Sequence, residues 1–229
     1  MKKIILFILL IISMNANAQT VRGFGGFSSY LQWDFYKSSY FGVNTGTEFK
    51  ISSYFMPELE FSYFYGTLEQ ASRYNNQLLQ TSSYTRSVSS LNFSFCPKIA
   101  LGNKKDGAGY LVILPRYTFS QIEAKGDFIV VNESKTLIEN RDFQKGSQHS
   151  LGLGIGYDID TSDDNSNSLC LILYYSGVNL GKVINEMEHS SGYKINDKGV
   201  LGAGLNYYFS FKKEPRPKPR PIKIPEPLQ

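Results

Sequence analysis

The sequence is poor in the residues that build chemical sites. Its 229 residues hold two cysteines, two histidines and one tryptophan. A zinc centre needs Cys and His ligands at close spacing, and Cys96, Cys170, His149 and His189 are too scattered to supply one. His149 stands beside Ser150, but neighbours on a strand point to opposite faces, so this His cannot readily activate that Ser. The acidic run Asp158, Asp160, Asp163 and Asp164 lacks the ligand spacing and glycine of a calcium loop and reads as a solvated turn. The formal charge of +4 comes with no concentrated basic face, which excludes nucleic acid as an expected partner. No cofactor motif is present. Beyond the first residues there is no run near the 20 or so apolar residues of a membrane helix. Any crossing of a membrane must be made by strands.

The N-terminus carries a different message. Lys2 and Lys3 precede an unbroken apolar run from Ile4 to Ile12, and the stretch closes on Ala16-Asn17-Ala18. This is the layout of a secretory signal, with cleavage expected between Ala18 and Gln19. The alternative is an anchoring helix, for which the apolar core is about half long enough. Removal of residues 1–18 leaves about 210 residues, suited to one domain.

Sixteen Tyr, sixteen Phe and twenty Gly without long helical periodicity point to sheet. Eight stretches alternate with period two: Val21–Trp33, Tyr40–Ser52, Glu58–Gly66, Val88–Gly102, Tyr110–Lys125, Gln148–Asp160, Ser168–Gly177 and Val200–Phe211. Each is long enough for a tilted strand crossing a bilayer, about 9–11 residues. From the second onward the odd-numbered residues are apolar, as in Leu151, Leu153, Ile155, Tyr157 and Ile159. The even-numbered face carries Glu48, Lys50, Glu58, Glu60, Lys98 and Arg116 together with many glycines. Strand one, with Gly23, Gly25 and Gly26, does not separate cleanly.

A soluble barrel or sandwich would place the apolar face inside. The glycine-rich polar face argues against it, since a crowded lumen needs glycine and a wet surface does not. Connections Ser53–Pro57, Asn103–Gly109 and Thr161–Asn167 are short, whereas those after strands three, five and seven run about twenty residues. Short periplasmic turns and long extracellular loops are the outer-membrane pattern. The fold class expected is therefore all-β: an eight-stranded antiparallel up-and-down transmembrane β-barrel, in contact with outer-membrane lipid.

The final strand GVLGAGLNYYFSF and the strand-turn-strand GTEFKISSYFMPELEFSYFYG resemble the small outer-membrane barrels of the OmpA/OmpX class over residues 20–211. That resemblance implies the outer membrane of a diderm bacterium and a host of roles from adhesion to catalysis, and the even strand number puts both termini in the periplasm. Tyr207, Phe209 and Phe211 are expected in the periplasmic aromatic girdle. The chain departs from the pattern by running past Phe211. Its last eighteen residues, KKEPRPKPRPIKIPEPLQ, hold Lys212, Lys213, Arg216, Lys218, Arg220 and Lys223 and favour an extended polyproline II arm. The arm is either a disordered solubilising end or a basic segment that docks on a periplasmic or outer-membrane protein.

Loops Glu69–Tyr84, Asp127–Phe143 and Lys182–Asp197 contain apolar stretches flanking turn-like residues, so each continues its strands as a hairpin or folds back as a cap. Cys96 and Cys170 fall on strands four and seven, nearly opposite, and free thiols are expected. Lumen charges of both signs are expected to pair, because eight strands enclose only enough room for side chains. The function expected is non-enzymatic, structural or protein-interactive, possibly within an outer-membrane complex. A narrow or gated small-solute channel is the alternative, and a lipid A-modifying enzyme stands behind it.

Overall fold

The computed structural model describes residues 20–68, 70–77, 79–102, 109–131, 136–162, 167–187, 195 and 199–210. Ala18, Gln19, Phe211 and the six basic tail residues lie outside the described residues. The strands are β1 (Thr20–Leu31), β2 (Ser39–Lys50), β3 (Phe55–Thr67), β4 (Ala71–Tyr74), β5 (Gln80–Leu101), β6 (Gly109–Val131), β7 (Leu137–Asp160), β8 (Ser168–Ser176) and β9 (Val200–Ser210). One short helix, α1 (Gly181–Asn185), precedes β9.

All pairing is antiparallel and in one sheet, in the order β3-β2-β1-β9-β8-β7-β6-β5-β4, and β3 also pairs β5. That last pairing closes the ring. β4 is β3 resumed after a break: Thr67 pairs with Ser87 and Ala71 with Tyr84 on the same strand β5. The barrel therefore has eight strands.

Odd-numbered residues point outward and even-numbered ones inward all round the wall. Leu151 and Leu173 are 73% and 69% exposed, and Phe27, Phe41, Leu59, Phe93 and Leu201 stand in the same belt. A continuous apolar belt of this extent far exceeds the patch a soluble monomer carries. With carboxylates and a lysine inside, the inside-out soluble barrel is excluded. The wall faces hydrocarbon.

The belt has a visible edge. Along β6 the outward residues run Leu111, Ile113, Pro115, Tyr117 and Phe119, then change to Gln121, Glu123, Lys125 and Asp127. At the change, the Tyr117 hydroxyl and His149 Nδ1 stand 2.8 Å apart. Above it, exposed ion pairs Lys145–Glu123 (2.6 Å) and Arg141–Asp127 (3.6 Å) cross β6 and β7. Strands β5, β6 and β7 are 22, 23 and 24 residues long, against nine for β8. They continue about a dozen residues past the belt, roughly 40 Å of strand path at ~3.4 Å per residue.

The structure decides between the two readings of the first two long loops and corrects other expectations. The connections after strands three and five are consumed by strand: β6 and β7 pair as far as Val131↔Leu137. The first two long loops are thus hairpins. The third is not. It turns into α1 and buries Leu180, Val183, Ile184, Met187 and Ile195. Pro57 belongs to β3, paired with Pro97, rather than to the preceding turn. The connection between β1 and β2 is short although it lies at the long-loop end, so the alternation of lengths fails there. A bridge Phe35↔Leu68 and a 3-10 turn at Tyr36–Ser38 fold it tightly.

Candidate functional site

Alternation puts one side chain from every second residue into the lumen, and ring closure decides which of them meet. Near the turn end, each barrel strand gives a side chain to one network. Arg22 from β1 holds Glu48 of β2 through Nε and Nη2, each at 2.7 Å, and donates to Ser168 of β8 at 3.0 Å. Lys98 of β5 reaches Glu48 at 2.8 Å, Glu58 of β3 at 3.2 Å and Asp158 of β7 at 3.0 Å. Tyr208 of β9 donates to Glu58 at 2.8 Å and Tyr110 of β6 to Asp158 at 3.2 Å. Lys98 Nζ also lies 3.9 Å from the centroid of the Tyr208 ring.

The geometry resolves a conflict built into the pairing. Glu48 and Glu58 are direct cross-strand partners, and like charges opposite one another destabilise a sheet. Lys98, fully buried, sits between them and takes both. Buried ionic groups are tolerated where hydrogen bonds satisfy them, and here carboxylates from β2, β3 and β7 and the Tyr208 ring of β9 surround one ammonium. The network is a cross-brace.

Higher in the lumen, Asn44 donates to Asn206 at 2.8 Å, and Arg116 of β6 bridges to Glu60 of β3 at 2.9 Å. Arg116 also lies 4.6 Å from the centroid of the Tyr174 ring. Tyr30 stacks on Tyr40 at 4.9 Å and tilts against Phe64 at 5.0 Å. The cavity beside Tyr30, Arg116 and Tyr174 measures about 10 Å³, room for one water at most.

α1 closes the long-loop end. Glycine makes that closure possible, since a Cβ on Gly146 would stand 2.8 Å from Val183 Cγ2, and one on Gly126 2.7 Å from Met187 Cε. Asn185 fastens the loop to itself, donating to the Ile195 carbonyl at 2.8 Å and accepting from its N–H at 2.9 Å. Tyr84 and Asp142 hydrogen-bond at 3.1 Å beside the plug, where burial and the carboxylate push the phenol up to about 12.

Of the residues singled out from sequence, Glu48, Glu58, Glu60, Lys98 and Arg116 point into this lumen. Lys50 ends β2, half-buried at the rim. Tyr207 and Phe209 face outward, 44% and 40% exposed, near the end of β9. Sequence reasoning did not place Arg22, Tyr110, Ser168 or Tyr208 in the network. Asp158, weighed as part of an acidic turn, is committed to Lys98. Among the described residues no group of His, Cys, Asp or Glu is disposed to hold a metal. His149 faces outward against Tyr117 while Ser150 faces inward, so the two do not meet; His189 lies outside the described residues. Cys96 and Cys170 are buried free thiols.

The second surface is the protruding sheet. β8 pairs with β7 only from Leu153 to Asp160. Over Leu137–Gly152, β7 pairs with β6 on one side and, among the described residues, with no strand on the other. Glu139, Arg141 and Lys145 stud this edge, and charges of that kind protect an open strand from indiscriminate pairing.

No protein-family model matches the sequence, and no curated protein matches it. Solved structures that match include Ail of Yersinia pestis in complex with the heparin analogue sucrose octasulfate, 12% identical, covering 84% of this chain and 98% of that one at a TM-score of 0.40. Neisserial surface protein A is 13% identical over 82% of this chain and 95% of its own, at 0.41. A major outer membrane protein from Thermus thermophilus is 13% identical over 82% and 99%, at 0.42. The matched structures are small outer-membrane barrels of the OmpA/OmpX-like class. Likenesses of this strength say nothing of function, and the barrel stands on the strand pairing of this chain itself.

Proposed function

We propose that this chain is a non-enzymatic barrel of a diderm outer membrane that presents its protruding sheet outside the cell as a docking surface for another protein. In this reading residues 1–18 are a signal removed between Ala18 and Gln19, residues 19–211 are the barrel and residues 212–229 are a basic periplasmic arm. The short turns and both termini face the periplasm. One observation carries the docking role: among the described residues no strand pairs the outer edge of β7 over Phe143–Ser150, an edge to which an added strand can bond. The lumen supports a post rather than a pore, since charges from opposite strands pair across it and the cavity beside Tyr30, Arg116 and Tyr174 is about 10 Å³.

The test is a photo-crosslinking residue placed at Phe143 or Ser147 on the open edge, and at Glu123 on a strand paired on both sides, in intact cells. Docking by strand addition gives protein adducts from the first two positions, and a proline on the edge (Lys145→Pro) removes them. Adducts that survive the proline mean docking through side chains instead. Absence of adducts from the edge positions overturns the role.

A further inference from the structure

The wall of this barrel has one interrupted seam. β5 and β6 pair residue for residue from Ser82↔Val130 to Phe95↔Tyr117, and again from Ile99↔Ile113 to Leu101↔Leu111. Between these runs the same register sets Pro97 opposite Pro115, and the pairing is absent from Cys96 to Lys98. The neighbouring seams show no such break: β3 pairs β5 without a gap across Pro57↔Pro97, and β6 pairs β7 without a gap across Pro115↔Leu153.

The cause is chemical. Neither imide nitrogen carries a hydrogen, so the two donors that would cross this rung do not exist. Both facing carbonyls lose their partner in the middle of the apolar belt, where no water replaces it. Side chains do not repair the rung. Lys98 of β5 is tied to β2, β3 and β7, and Arg116 of β6 is tied to β3. Two side-chain contacts join β5 to β6 nearby, the Arg116 guanidinium against the Cys96 thiol on the inner face and the 2.8 Å hydroxyl pair Ser94···Thr118 above the gap, and neither supplies the missing backbone donors. Proline is ordinarily confined to edge strands and bulges, and here two stand face to face inside a closed wall.

We propose that the β5–β6 junction at Pro97 and Pro115 is where the native barrel opens sideways toward the hydrocarbon, giving small apolar molecules in the bilayer passing access to the inner face of β5. The chain carries its own reporters. Cys96, fully buried on the inner face, adjoins Pro97, while Cys170, equally buried, lies on β8 where pairing to β7 and β9 is unbroken.

The experiment is alkylation of the full-length barrel in liposomes by N-ethylmaleimide, followed by mass spectrometry of the two cysteine peptides. Cys96 is expected to react at least tenfold faster than Cys170. Pro115→Ala restores one donor to the rung, and is expected to slow Cys96 several-fold while leaving Cys170 unchanged. Pro57→Ala, in line with the gap but outside it, leaves both rates as they were. A Cys96 rate that Pro115→Ala does not lower overturns the proposal, as does equal reactivity of the two thiols. Should Pro115→Ala fail to insert, hydrogen exchange on the unaltered protein decides: amides of Phe95 and Tyr117, which flank the gap on the odd-numbered rungs that join β5 to β6, exchange faster than those of Gly154 and Ile172 if the seam opens, and at the same rate if it does not.

Discussion

Lys98→Met should be the most damaging single change in the lumen. Its ammonium lies 2.8, 3.2 and 3.0 Å from Glu48, Glu58 and Asp158, with every one of these side chains out of solvent. Methionine fills similar volume, so the loss is electrostatic rather than a cavity. It leaves three buried carboxylates facing one remaining guanidinium, that of Arg22. Removing one partner of a buried pair costs about 3–5 kcal/mol, because the others stay buried and uncompensated. Lys145 provides the contrast. Its distance to Glu123 is shorter, 2.6 Å, yet both side chains are exposed, and pairs of that kind contribute about 0–1 kcal/mol. Burial, not distance, decides between them. The assay is urea unfolding of liposome-inserted protein, read by gel mobility with and without heating. Lys98→Met should lower stability by about 3–5 kcal/mol and Lys145→Met by under about 1 kcal/mol. Adding Glu58→Gln to Lys98→Met should return part of the loss, a coupling of about 0.5–3 kcal/mol. A Lys98→Met barrel within about 1 kcal/mol of the parent would refute the cross-brace.

Three further outcomes are expected. Leu171, 53% exposed in mid-belt on β8, should cost about 2–4 kcal/mol when changed to Arg, measured by the same urea titration. Tyr84, held neutral against Asp142, contributes stability that is full below the ordinary phenol value near 10 and lost as pH rises through about 12; stability read by the same urea titration should fall across that window, and Tyr84→Phe should remove the part of the fall that the parent protein shows beyond it. Truncation after Phe211 should leave insertion and the heat-dependent gel shift intact, since the described wall pairs without the tail, while any complex made through the periplasmic face should be lost in the truncated protein and should weaken with salt in the full chain.

The strand faces were legible because lipid and a packed lumen make opposite demands on alternate residues. Strand one resisted that logic for a physical reason. Its outward positions include Gly23 and Gly25, while Phe24 turns inward to lie 5.1 Å from the Tyr208 ring. The usual polarity of the alternation is partly reversed. The third long loop was misleading in another way. Val183 and Ile184 look like strand residues, but two glycines on β6 and β7 open the space that draws them in as helix. The membership of the lumen network was only half visible. Alternation says which residues point inward, whereas the joining of β1 to β9 decides that Arg22 reaches Glu48 and Ser168. The lateral gap was in plain view as three prolines, but its meaning required the register that sets Pro97 against Pro115.

The orientation of the wall underlies every one of these expectations, and spin labels test it most directly. Labels at Leu153 and Leu171, on the odd-numbered face, should be relaxed by oxygen dissolved in the bilayer and shielded from a water-soluble nickel reagent. Labels reporting water at both positions would contradict the transmembrane barrel and return the soluble, inside-out alternative.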